Sequence, residues 1–286
     1  MKRLILSVTA MCLLAAACQG KSGSLGSLPS PSKSPSPSAT SPSPTLSPSP
    51  GATPVQSNRK VTFQVWLSQN DKLFVTKRTR LFAPGVAQLA LNALLDGPSG
   101  PEAQAGIETA MLGVDNADIT ALANGLVTVQ VNDTFFQETG ARLRMRRAQL
   151  VFTLTQYATI RRVRFAGSDG KPVAGTWGRG SFGTLLPAIL VESPLIGSKV
   201  SSPVTVSGTA NVFEATVSLR ILDENGDEIA RTFTTATCGT GCRGDYSVSV
   251  PFTVDHQQRG TIEVFESSAR DGSPINLVSI PVILIP

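Results

Sequence analysis

Several groups of residues have the types or spacing to do chemistry. Cys238 and Cys242 flank Gly239-Thr240-Gly241, and two glycines let so short a loop close. The pair reads as a structural disulfide staple. A redox pair ordinarily has two intervening residues at a helix start, and a metal site needs further ligands. His256 is the one histidine. Any Ser-His-Asp or Cys-His relay would have to use it, but it sits in the polar turn Asp255-His256-Gln257-Gln258 and reads as surface. Asp115, Asp118, Asp133 and Glu138 fall near predicted strand ends. Two carboxylates at a suitable separation would suffice for glycoside hydrolysis, yet residues of this type in such places are more often turn and cap formers, which is the preferred reading. Arg142, Arg144, Arg146 and Arg147 spread over more than half of a helix circumference at about 100° per residue. They read as a solvated helix face, with contact to anionic envelope polymers or lipid headgroups as the alternative. Gly178-Arg179-Gly180-Ser181-Phe182-Gly183 is formally G-x-G-x-x-G, but a dinucleotide site needs a strand before it and a helix after it. Strand-like sequence follows instead, so the segment reads as a hinge.

The N-terminus has the parts of an export signal: Lys2 and Arg3, the apolar run from Leu4 to Ala16, then small residues. That run is short for a permanent span of about 30 Å of hydrocarbon. Leu14-Ala15-Ala16-Ala17-Cys18 resembles the lipobox of bacterial lipoproteins, with Ala15 where the commonest pattern has Leu. The resemblance implies cleavage after residue 17, acylation of the Cys18 thiol, and an extracytoplasmic protein lipid-anchored to the cell membrane. Each buried lipid CH2 contributes about 0.8 kcal/mol, so two or more chains anchor stably. An oxidising export compartment also favours the Cys238/Cys242 disulfide. Residues 18–59 are Ser-, Pro-, Gly- and Thr-rich and carry too few apolar side chains to offset ordering entropy, so they read as a disordered linker. Extended at about 3.1 Å per residue, such a tether reaches on the order of 100 Å. The formal charge of +5 loses Lys2 and Arg3 with the signal, leaving +3. That is too mild to imply nucleic acid.

The remaining length suits about two domains. Over 60–175 the hydrophobic patterning predicts β-β-α-β-β-α-β, an α+β or α/β layer of helices on one sheet. Val61 to Leu67 alternates as a strand, and a helix opens at Pro84 and stops at Asp96-Gly97-Pro98. Asn124-Gly125 marks a hairpin, and a second helix is predicted over 142–158. Arg80, Leu94-Leu95-Asp96-Gly97-Pro98, Pro101-Glu102, Val127-Thr128-Val129, Asn132 to Phe136 and Ala148 to Thr155 resemble the GerMN domain of spore germination proteins. That family carries no catalytic residues to transfer. After a Gly-rich linker at 176–187, residues 188–286 show about seven short alternating segments and no helical pattern, the expectation for a β-sandwich. Asp223-Glu224-Asn225-Gly226-Asp227 has its glycine too early for a calcium loop and reads as a hairpin turn. Ser193-Pro194, Ser202-Pro203-Val204, Val206 to Ala210, Gly244-Asp245-Tyr246 and Ala269 to Ser273 resemble the immunoglobulin-like domain of bacterial spore germination, regarded as an envelope interaction module.

The fold expectation is therefore α+β: a mixed α/β GerMN-type domain followed by an all-β immunoglobulin-like sandwich. The functional expectation is a non-enzymatic interaction or scaffold protein of the envelope, with no cofactor and no metal. Its expected partners are membrane lipid through acylated Cys18 and other envelope proteins or cell-wall polymers. The alternatives are a peptidoglycan- or glycan-binding module, with Trp177 as the one candidate exposed aromatic, and a wall hydrolase. The sequence leaves the oligomeric state open.

Overall fold

The computed structural model describes residues 59–286. The export signal, Cys18 and all of the linker before residue 59 lie outside the described residues. The chain is α+β and predominantly β.

The first module opens with the hairpin β1 (Lys60–Gln69) and β2 (Lys72–Leu81), paired antiparallel from Lys60↔Leu81 to Gln69↔Lys72. Next come α1 (Val86–Leu95), a short α2 (Gly100–Gln104), β3 (Ala117–Ala123) and β4 (Leu126–Val131). The short α3 (Thr134–Gln137), the long α4 (Gly140–Leu154) and β5 (Arg162–Ala166) complete it. The predicted order of main elements is present, with the short α2 and α3 added. Asn124 and Gly125 both have positive φ, the geometry of the tight hairpin turn that Asn-Gly favours.

The expected single sheet is in fact two. β1 and β2 stand alone, while β3, β4 and β5 form a separate sheet in which β4 and β5 run parallel. α4 explains the separation. It packs against β1 and α1, so the outer edge of β1 meets a helix and not another strand. α4 ends at Leu154, short of the predicted 158, because Gln156 is drawn onto the backbone of Gln64.

A 3-10 turn, Arg179–Leu185, leads into eight strands: β6 (Ile189–Ser193), β7 (Lys199–Ser201), β8 (Val204–Ala210), β9 (Thr216–Leu222), β10 (Glu228–Thr235), β11 (Gly244–Val250), β12 (Gln258–Ser267) and β13 (Pro274–Ile285). They form a five-stranded sheet ordered β10-β9-β12-β13-β7 and a three-stranded sheet ordered β11-β8-β6. Val204, Val206, Gly208 and Ala210 are buried while Thr205 is exposed, and Val217, Leu219 and Ile221 are buried between half-covered neighbours. This period of two places one face of each strand in the core. Gly208 is dictated by close approach: a Cβ there would lie 1.9 Å from the Leu190 carbonyl oxygen.

Candidate functional site

The chemistry-bearing residues of the first module converge on α4. Arg146, Gln149 and Thr153 share a face of this helix with Leu150, and Gln156 continues the row just beyond it. Arg146 is 1% exposed. Its Nε donates to the Ala110 carbonyl at 2.7 Å and its Nη2 to that of Leu112 at 2.9 Å. Its Nη1 donates to the carbonyls of Thr134 at 2.5 Å and Phe135 at 3.0 Å. Gln149 Oε1 accepts the Ala110 N–H at 3.0 Å, and Thr153 Oγ1 accepts the Trp66 N–H at 3.1 Å. The Gln156 amide both accepts from the Gln64 N–H and donates to the Gln64 carbonyl, each at 2.8 Å.

These bonds answer one need. Buried backbone groups must find partners, and the outer edge of β1 has no neighbouring strand. Gln156, just beyond α4, serves residue 64, Thr153 of α4 serves residue 66, and a two-way backbone bridge between Ser68 and Glu108 serves the next position. The expectation of a solvated arginine face is therefore wrong for Arg146, which falls on the same helix face as Leu150 and meets four carbonyls that no ladder satisfies. The other three arginines also have partners. Arg142 pairs with Glu138 at 3.1 Å, Arg144 donates to Thr184 Oγ1 at 2.9 Å, and the Arg147 guanidinium lies 4.7 Å from the centre of the Trp177 ring. Trp177 also packs against Phe165, so it is not the open aromatic platform that a sugar would need.

A second buried polar centre escaped the sequence reading. Glu102 is 3% exposed. It accepts from Arg78 Nη1 at 2.9 Å and Nη2 at 2.5 Å, from Thr76 Oγ1 at 2.5 Å and from the Ser99 N–H at 2.7 Å. Burial alone would raise this carboxyl, but the hydrogen bonds from Arg78, Thr76 and Ser99 outweigh it and hold it at about 2. The signal was present as Ser99-x-x-Glu102, a capping pattern at the mouth of a five-residue helix.

The segment 178–183, which reads from sequence as a hinge, is packed and hydrogen-bonded. Phe182 of this segment is buried. Arg179 donates from Nε to Thr155 Oγ1 at 2.9 Å and from Nη2 to the Phe152 carbonyl at 3.2 Å, and lies over the rings of Phe152 and Trp66. Lys72 Nζ donates to the Thr184 carbonyl at 2.9 Å, and Arg243 from the second module donates to the Pro187 carbonyl. The buried residues of both modules form one continuous cluster. The connection is a folded clamp. β6, with no α-helix, follows the glycine motif, so the dinucleotide context is missing.

The remaining candidates are held locally. Asp133 accepts from Ser168 Oγ at 2.6 Å, Asp118 from Asn116 Nδ2 at 3.2 Å and Asp115 from Asn132 Nδ2 at 3.5 Å. His256 is exposed beside Asp255 at 2.5 Å and Glu224 at 3.3 Å, and its hydrogen bonds to those two carboxylates raise its pKa. Among the described residues, no group of three or more His, Cys, Asp or Glu could hold a metal. Cys238 and Cys242 are brought together with Cα atoms 5.7 Å apart, a disulfide separation. Their loop packs on the turn at 211–215. Thr240 N–H donates to the Val212 carbonyl, Thr240 Oγ1 accepts the Glu214 N–H, and a Cβ on Gly239 would lie 2.4 Å from the Ala215 nitrogen.

Residues 52–174 match the family model described as "Sporulation and spore germination", and residues 188–273 match the "Immunoglobulin-like domain of bacterial spore germination". The chain joins a GerMN domain to an immunoglobulin-like domain of the spore germination type. Among solved structures, the tandem GerMN domains of the sporulation protein GerM from Bacillus subtilis align with TM-score 0.36 and 12% identity, over 68% of this chain and 62% of theirs. The chain thus spans less than two thirds of that tandem structure. The first GerMN domain of the same protein aligns with TM-score 0.32 and 16% identity, over 42% of this chain and 98% of its own length. No curated protein matches.

The GerMN domain meets the clamp at an open cleft of about 730 Å³, lined by Thr62, Gln64, Lys77, Thr155, Gln156 and Arg179. A second cleft of about 720 Å³ lies between the β1–β2 turn and the start of α4, where Asp71, Glu108, Arg142 and Arg144 face it. The first mixes cations with neutral hydrogen-bonding groups, a lining suited to recognising a polar chain, whereas the second sets Arg142 and Arg144 against Asp71 and Glu108. Among the described residues no helix is long and apolar enough to cross a membrane.

Proposed function

We propose that this chain is a membrane-tethered extracytoplasmic lipoprotein that acts in sporulation or spore germination as a non-enzymatic interaction or scaffold protein of the cell envelope. In this reading Cys18 carries the lipid, residues 19–59 are the tether, and the GerMN and immunoglobulin-like domains form one stiff head. Its partners are other envelope proteins or cell-wall polymers. Two matches to spore germination families in one chain support the biological setting.

The observation that carries the interaction reading is the clamp at 176–187. Lys72 and Arg144 of the first domain and Arg243 of the second hold it, and its own Arg179 anchors on Thr155 and Phe152, so the two domains present their surfaces in a fixed relation. The polar groups that could have been catalytic support the same reading. Arg146, Gln149, Thr153 and Gln156 serve backbone, Glu102 serves Arg78 and the cap of α2, and the surface carboxylates serve turns.

Crosslinking in intact cells with identification of the captured species tests the proposal. A defined envelope partner recovered with the intact chain, and lost when the clamp is loosened by Arg243→Ala, is the expected result. Release of soluble fragments from purified wall by the purified chain, abolished by Asp133→Asn or Glu138→Gln, would replace the scaffold with a hydrolase.

A further inference from the structure

The cleft beside Arg179 has features that backbone satisfaction does not use. In an antiparallel pair, N–H and C=O groups point alternately toward and away from the partner strand. Gln64, Trp66 and Ser68 turn their groups away from β2 and are met by Gln156, Thr153 and Glu108. Thr62, two residues earlier on the same strand, points the same way. The short Thr62–Thr79 hydroxyl contact of 2.8 Å marks the same non-hydrogen-bonded type of pair. Its outward N–H and C=O open into the cleft and meet no partner among the described residues. The β1 edge is thus capped over three positions and left open at the next.

Two cations stand beside that opening. Arg179 is fixed by its bonds to Thr155 and Phe152 and by the two aromatic rings beneath it, which leaves Nη1 without a partner. Lys77 lies directly across the hairpin from Gln64. No carboxylate lies within ion-pairing distance of either among the described residues. Glu192, the nearby acid, accepts instead from Gln64 Nε2 at 3.4 Å. A guanidinium fixed in orientation with a free edge matches a carboxylate, and a free strand edge matches an extended peptide.

We propose that this cleft binds the carboxylate end of an extended peptide, with the peptide backbone pairing to Thr62 and its carboxylate held by Arg179 and Lys77. The inference deepens the interaction reading by naming a recognition site and a ligand chemistry for it. It rests on that reading, but a titration interrogates the cleft alone, so a failed titration would leave the crosslinking result standing.

The test is a nuclear magnetic resonance titration of the secreted full chain carrying Cys18→Ala. The probes are an acetylated pentapeptide of alanine and threonine with a free carboxylate, the same peptide as its C-terminal amide, and inorganic phosphate. The acid peptide should shift the Thr62 and Gln64 amides. Amidation or Lys77→Gln should each weaken binding by about tenfold, whereas Lys171→Gln, which removes a distant surface charge, should leave it unchanged. Lys77 has no structural partner, so its variant keeps the fold. Absence of shifts, equal binding of the amide, or displacement of the acid peptide by equimolar phosphate would each overturn the proposal.

Discussion

The two domains satisfy their backbones by different means. In the immunoglobulin-like domain the strands pair with one another, two sheets share the work, and alternate residues are free to be apolar on the inside. In the GerMN domain the strands are divided between a hairpin and a three-stranded sheet, so edges and loops abut helices. Polar side chains must then reach in and complete the bonding. The price is a core containing Arg146, Gln149, Thr153 and Glu102, which in another protein would invite a catalytic interpretation. The contrast shows that buried polarity follows first from unfinished sheets, and is a sign of chemistry only when backbone accounting leaves something over.

That contrast can be broken most severely at Arg146. Replacement by Met strands four carbonyls and should destabilise the chain by roughly 4 kcal/mol in denaturant unfolding. Ser218→Ala, on the outward face of β9, should change stability by less than about 0.5 kcal/mol. Similar losses at both sites would remove the distinction.

Acid should act on the GerMN domain through Glu102. The Glu102 carboxyl is lowered from 4.5 to about 2, so its contribution is complete above pH 4.5 and disappears as pH falls through about 2. That contribution is roughly 3 kcal/mol at neutral pH. Glu102→Gln should flatten the acid limb of the stability profile, and an unchanged limb would mean that other carboxylates carry it.

The disulfide offers the matching test in the immunoglobulin-like domain. If Cys238 and Cys242 are joined, closing so short a loop contributes about 2 kcal/mol. Cys238→Ser with Cys242→Ser should lose about that much and accelerate hydrogen exchange at residues 212–215. A smaller effect, about 1 kcal/mol, is expected for Gln156→Ala, together with faster exchange of the Gln64 amide. Protection of that amide in the variant would show that the β1 edge does not depend on the side chain.

The same contrast explains what the sequence made legible. The strands of 188–286 were readable because ladder pairing imposes a period of two, and seven of the eight were placed; the missing one is the three-residue β7. In the GerMN domain the order of the main elements was readable, but the division into two sheets was not, since pairing partners leave no mark on local pattern. The charge of Arg146 points to solvent, whereas its place three and four residues before Gln149 and Leu150 puts it on the buried face. The glycine-rich surroundings of Trp177 suggest exposure, whereas Arg147 and Phe165 reach it from elsewhere in the chain. The cleft beside Arg179 was not legible at all, because it joins residues of β1, β2, the end of α4 and the clamp. Its arginine was visible only as the second residue of a glycine motif.

The decisive measurement is crosslinking in intact cells, with Cys18→Ala and Arg243→Ala as comparisons. A tethered, stiff interaction head predicts a defined envelope partner with the unaltered chain, and loss of that partner both when the anchor is removed and when the clamp is broken. Equal capture by all three chains would contradict the account, because neither tether nor fixed domain relation would then matter.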